Sequence, residues 1–107
     1  MLPSSRRLTS AEVPLVLKVG YGASFGPIRV KYTHREGKAT TSRFAVVISK
    51  KVLKSAVDRN LTRRRVYEIV RGIHTPSPID AAILLSSGTL SFSELKENVR
   101  EALSKVR

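Results

Sequence analysis

The stretch Ser49–Arg71, SKKVLKSAVDRNLTRRRVYEIVR, constrains this fold more than any other. From Lys50 to Arg71 it carries eight basic residues against Asp58 and Glu68, a net +6. Like charges one helical turn apart weaken a helix unless something neutralises them. A disordered basic tail, however, would have no use for Val57, Val66, Ile69 and Val70. At 100° per residue, Thr62, Val66, Ile69, Val70 and Ile73 gather on one side of a helix, and Asn60, Arg63, Arg64, Tyr67 and Arg71 fall on a separate face. The pattern predicts a helix with one stripe for a core and one stripe for an anion.

The charge is unevenly spread. The chain totals +12 over 107 residues. Residues 1–49 carry +6, the basic segment another +6, and residues 72–107 are neutral, with four basic and four acidic side chains. A field confined to the first two-thirds of a small surface is the footprint of a polyanion-binding protein. The length suits one domain over residues 1–107. Cysteine is absent, which removes disulfides, thiolate metal sites and a thiol nucleophile. No apolar run is long enough for a membrane span, and no apolar stretch follows Arg6 and Arg7 before Glu12 as a secretory signal requires, so the expectation is a cytoplasmic protein.

Thr9 and Glu12 have capping-box spacing and open a short helix from about Ser10 to Val19, which Pro14 should distort. The glycine-punctuated GYGASFGP, residues 20–27, reads as a loop. IRVKYT, residues 28–33, alternates as a half-buried strand, with Ile28, Val30 and Tyr32 on one face. A polar connection with a turn near Gly37 leads to RFAVVIS, residues 43–49, a short apolar run expected for a central strand, and IDAAILLSS, residues 79–87, reads as a second buried strand. Ser91 and Glu94 repeat the capping-box spacing before Leu95, Val99, Ala102, Leu103 and Val106, a closing helix whose balanced charge suits packing.

Protein catalysis finds little footing. His34 and His74 stand alone in connections, without a carboxylate or second ligand at working spacing. Gly20 and Gly22 do not form a phosphate loop, and the acidic residues of the basic two-thirds, Glu12, Glu36, Asp58 and Glu68, make no cluster for two-metal chemistry. The arginine run with Lys50 and Lys51 upstream can bond several phosphates at once. Phe25, Tyr32, Phe44 and Tyr67 could stack on bases, although Phe44 reads as core.

RFAVVISKKVLKSAVDRNLTRRRVYEIVR resembles the protein subunit of bacterial ribonuclease P. In that family a strand ends in S-K-K, and a helix then opens A-V-x-R-N with a basic pair three residues after the Asn. These are Ser49-Lys50-Lys51, Ala56-Val57, Arg59-Asn60 and Arg63-Arg64 here, and the MLP…RL opening, the ID strand and the last helix extend the likeness over almost the whole chain. The resemblance implies an α/β (α+β) two-layer sandwich of ribosomal protein S5 domain 2 type. Its four-stranded sheet is packed with helices in the order αβββαβα, with a left-handed βαβ crossover.

The resemblance also implies an RNA-binding cofactor that helps a catalytic RNA remove the 5′ leader from precursor tRNA, one protein per RNA. The protein then binds no cofactor alone, and the Mg2+ is held by the partner RNA. Arg59, Asn60, Arg63 and Arg64 would face that RNA with Lys50 and Lys51 nearby, and the charge pattern adds Arg65, Tyr67 and Arg71. A leader cleft would be lined by Val13, Leu17 and Tyr32, the first two aliphatic where the family has aromatics. The motif also departs at Leu61, Thr62 and Tyr67, where the family has a basic, an apolar and a basic residue. The alternative reading is a ribosomal or other structural RNA-binding protein using the same face.

Overall fold

The computed structural model describes residues 6–9, 11–37, 41–75, 77–87 and 91–106. Most of the MLP…RL opening and the Ser10 start of the first helix lie outside them. Along the chain come α1 (Val13–Val19), β1 (Tyr21–Phe25), β2 (Ile28–His34), β3 (Arg43–Val47), α2 (Ala56–Arg71), β4 (Ile79–Leu85) and α3 (Phe92–Ser104). The order is αβββαβα, as the resemblance implied.

The four strands align β1-β2-β4-β3. β2 pairs antiparallel with both β1 and β4, whereas β3 and β4 run parallel, Phe44 opposite Ala81 and Val46 opposite Ile83. A parallel neighbour requires a crossover, and α2 is that crossover. The last strand therefore enters the middle of the sheet, which explains its near-continuous apolar sequence, and β3, expected at the centre, lies at the edge instead.

Alternation decides which residues face which layer. Ile28, Val30 and Tyr32 of β2, Phe44 and Val46 of β3 with Ile48 just beyond it, and Ile79, Ala81, Ile83 and Leu85 of β4 join α2 and α3 in the main core. This accounts for the expected sandwich of sheet and helices. The opposite face carries a smaller cluster in which Val16 of α1 meets Leu8, Ala45 and Ala82, with Val13, Leu17 and Leu84 at its margin.

GYGASFGP is not a loop. Its residues 21–25 form β1, paired from Tyr21↔Tyr32 to Phe25↔Ile28, and Gly26 turns the hairpin with φ of 58°. Such a two-residue connection needs positive φ at its first position, which glycine supplies without strain. The strand escaped the pattern reading because it is an edge strand, mostly exposed, held by backbone pairing rather than side-chain burial. Gly20 is needed for another reason: a Cβ there would collide with the Val16 carbonyl oxygen and crowd the Tyr32 backbone. The chain leaves α1 by passing directly over β2.

The first helix begins at Val13, three residues later than expected, so Pro14 falls in the first turn, where a missing N–H costs nothing. It therefore does not distort the helix. Glu12 still reaches back to Thr9, accepting from its hydroxyl at 2.7 Å and its amide at 3.3 Å. The last helix starts as read, with Ser91 and Glu94 exchanging both capping bonds, and Leu95, Val99, Ala102, Leu103 and Val106 are all buried.

Candidate nucleic-acid interface

The basic segment forms a turn and then a helix. The Ser49 carbonyl accepts from the amides of Val52 and Leu53, both at 3.1 Å, leaving Lys50 and Lys51 exposed at the turn. Val52 and Leu53 pack against the main core and anchor it. Ser55 caps α2 by accepting from the Asp58 amide at 3.3 Å.

Helix α2 buries Val66, Ile69 and Val70, as the apolar stripe requires, but also Tyr67, at 8% exposure. Tyr67 is therefore core and does not belong to the anion stripe. The reason is geometric: α2 sits in the angle between β3 and α3, so residues 66, 67, 69 and 70 bury an arc of roughly 160° at 3.6 residues per turn. Val57 is the converse case: though part of the apolar rhythm, it lies at 75% exposure, at the free first turn of the helix.

The cations divide accordingly. Arg59 points along the buried arc and folds back, its Nη1 donating to the carbonyls of Leu53 (2.8 Å) and Lys54 (2.9 Å). It braces the lysine-bearing turn against the helix. Arg63 is half-buried and donates from Nη1 to Asn60 Oδ1 at 2.9 Å, which orients both side chains. Arg65 is also half-buried, whereas Asn60, Arg64 and Arg71 are exposed on one outward face. Arg71 has only a loose pairing with Glu68, at 3.7 Å, one turn back. Of the basic segment, Asn60, Arg64 and Arg71 on this face and Lys50 and Lys51 at the turn stand open to a phosphate backbone.

The expected leader cleft is not assembled as read. Val13 and Leu17 belong to the α1 cluster, but Tyr32 is buried in the main core on the other face of the sheet. Strand alternation puts Arg29, Lys31 and Thr33 of β2 on the α1 face instead. The β2 residues on the face that α1 covers thus include Arg29 and Lys31 where an aromatic was expected. Lys31 was legible in principle, since its strand neighbours Val30 and Tyr32 carry the apolar face.

Of the four aromatics considered for stacking, Phe44, Tyr32 and Tyr67 are buried. Phe25 is partly exposed and lies under Lys105, whose Nζ stands 5.4 Å from the ring centroid. The most exposed aromatic is Tyr21, at 64%, which the loop reading passed over. Its ring stands 5.8 Å from Tyr32 and 6.2 Å from His34. Among the described residues, no three histidines, aspartates or glutamates converge as metal ligands, and no helix is long and apolar enough to cross a membrane.

A family model described as Ribonuclease P matches residues 2–107. Solved structures show the same fold. A ribonuclease P protein from Thermotoga maritima, in complex with 1-(4-fluorophenyl)-2-thiourea, has a TM-score of 0.81 at 22% identity, covering 94% of this chain and 100% of that one. A Staphylococcus aureus ribonuclease P protein has a TM-score of 0.81 at 18% identity, covering 97% of this chain and 98% of its own.

Proposed function

Because this chain belongs to the Ribonuclease P family, an RNA-binding component of the ribonucleoprotein that processes tRNA, we propose a specific division of labour for it. The catalytic RNA carries the chemistry of 5′-leader removal and holds the Mg2+, one protein binds each RNA, and the protein contributes binding energy and charge neutralisation. The observation that carries this reading is the outward face of α2. Asn60, Arg64 and Arg71 stand on one side of a helix whose other side is locked into the core, so the cations are presented by a rigid body.

Rigidity matters because each immobilised arginine otherwise loses side-chain entropy on binding. Arg59 and the Asn60–Arg63 bond prepare the first half of α2 before any RNA arrives. Cations placed along a polyanion release counterions and let two RNAs approach closely. The leader of precursor tRNA runs past α1, where Arg29 and Lys31 meet its phosphates beside Val13 and Leu17. Contacts there are electrostatic rather than stacked.

The test is precursor-tRNA cleavage by the ribonuclease P RNA of the same organism at low Mg2+, with and without the protein. Rescue by a protein that cleaves nothing alone supports the assignment. Cleavage by the protein alone would overturn it, as would tight RNA binding with no effect on the ribozyme.

A further inference from the structure

A second cationic feature lies at the far end of α2. A cavity of about 450 Å³, within the roughly 300–1,000 Å³ range of small-ligand sites, opens between the helix C-terminus, the start of β3 and the 72–78 connection. Arg6, Arg71 and His74 line it, and no carboxylate among the described residues does. Arg6 comes from outside these elements altogether. Arg7 and Leu8 lie along the free edge of β3, with the Leu8 amide donating to the Phe44 carbonyl at 2.8 Å, and this pairing carries Arg6 to the cavity.

The floor is already wired. Thr75 Oγ1 donates to the Ser77 carbonyl at 2.8 Å, which uses its only proton, so the 2.6 Å contact with Ser42 must have Ser42 as donor. Ser42 Oγ in turn accepts from the Ile79 amide at 3.0 Å. These two hydroxyls are committed to holding the 72–78 connection on the sheet, leaving the charge to the rim. A rigid polar floor under a rim of two arginines and an imidazole, with Arg71 only loosely paired to Glu68 at 3.7 Å, suits a tetrahedral oxyanion.

We infer that this cavity is a binding site for an RNA phosphodiester group, with Arg6 and Arg71 as its principal ligands and His74 beside them. The inference rests on the RNA-binding reading above and extends it. Arg71 lies seven residues beyond Arg64, about 10 Å along the same outward face at 1.5 Å per residue. A backbone tracking α2 from Arg64 therefore reaches the cavity, and the contact surface ends on the N-terminal segment rather than on the helix. The phosphate comes either from the catalytic RNA or from precursor tRNA.

The experiment uses full-length Arg6→Gln and the double variant Arg6→Gln/Arg71→Gln, with Arg64→Gln as comparator. One arm measures affinity and its salt dependence for the ribonuclease P RNA. The other measures precursor-tRNA affinity of the reconstituted holoenzyme. The site predicts binding weakened roughly tenfold in one arm and a log–log salt slope smaller by about 1. The arm that responds identifies the RNA. Arg6→Lys/Arg71→Lys should restore most of the slope but not all of the affinity, because charge survives and the planar fork does not. Thermal unfolding of each variant, expected unchanged, separates lost binding from lost structure. If Arg64→Gln weakens binding while Arg6→Gln matches the native protein in both arms, this inference falls and the α2 interface stands. If neither responds, both fall.

Discussion

Arg43 of β3 grips Asp80 of β4 by two parallel hydrogen bonds, Nε to Oδ1 and Nη2 to Oδ2, each 2.8 Å. The same guanidinium donates to Glu12 just ahead of α1, from Nη2 at 2.7 Å and Nη1 at 3.3 Å. Arg35 adds a looser contact to Asp80 at 3.5 Å. One arginine thus ties the parallel strand pair to the start of the first helix, on the sheet face that α1 covers. The hydrogen bonds to Asp80, more than those to Glu12, raise the affinity of Arg43 for its proton above the ordinary arginine range.

Breaking this clamp should loosen α1. Arg43→Met strands Asp80 with only a weak partner at low exposure, and should cost about 2 kcal/mol, lowering Tm by roughly 10 °C for a chain of this size. Calorimetry decides the matter. A shift under 2–3 °C, on the order of half a kcal/mol, would make the clamp a surface pair of little consequence.

Acid should act on the clamp through Glu12. Its hydrogen bonds, first from the Thr9 side chain and then from Thr9 backbone and Arg43, hold its carboxyl below the ordinary value of 4.5. Between the two values the unfolded chain binds the extra proton, so the stabilisation is complete above about pH 4.5 and is lost as pH falls through the folded-state value. Glu12→Gln should flatten this part of the stability–pH curve. Parallel curves for the two proteins in acid would show that Glu12 contributes nothing.

The helix face should divide cleanly in its effects. Arg64→Ala should lower the log–log salt slope of RNA binding by about 1 without changing Tm. Tyr67→Ala should instead destabilise the fold by about 3–5 kcal/mol, as truncation of a large buried aromatic does. Should Tyr67→Ala leave stability intact while weakening RNA binding, the buried placement of that ring would be wrong.

On the sheet face beside α1, Lys31→Ala should weaken holoenzyme binding of a precursor with a long leader more than of one with a single-nucleotide leader. Tyr32→Phe, which changes a ring in the opposite core, should not discriminate between the two substrates. Equal effects of Lys31→Ala on both precursors would exclude a leader contact.

For the closing helix, Leu95→Ala should cost about 2–5 kcal/mol. Exposed Val57→Ala should stay within about 0.5 kcal/mol. Chemical denaturation measures both, and similar midpoints would mean that α3 is not core.

Sequence alone determined the elements that bury a periodic stripe. Leu95 through Val106, the alternation of β2 and the Val66–Val70 seam were legible because each must hide apolar surface at a period set by backbone geometry. The net charge and its confinement to the first two-thirds were legible for a simpler reason, since side-chain identity settles them. What tertiary structure decided was orientation between elements. β1 is held by main-chain pairing that leaves little trace in side-chain pattern, so its glycines read as a loop. Tyr67 and Tyr32 became core because neighbouring layers widened the buried arc of one helix and took one face of a strand. Arg6 and Arg71, 65 positions apart in sequence, meet at one cavity only because Arg7 and Leu8 lie along the edge of β3. Periodicity records which side of an element is buried; which elements share a site depends on long-range pairing, and no local pattern encodes it.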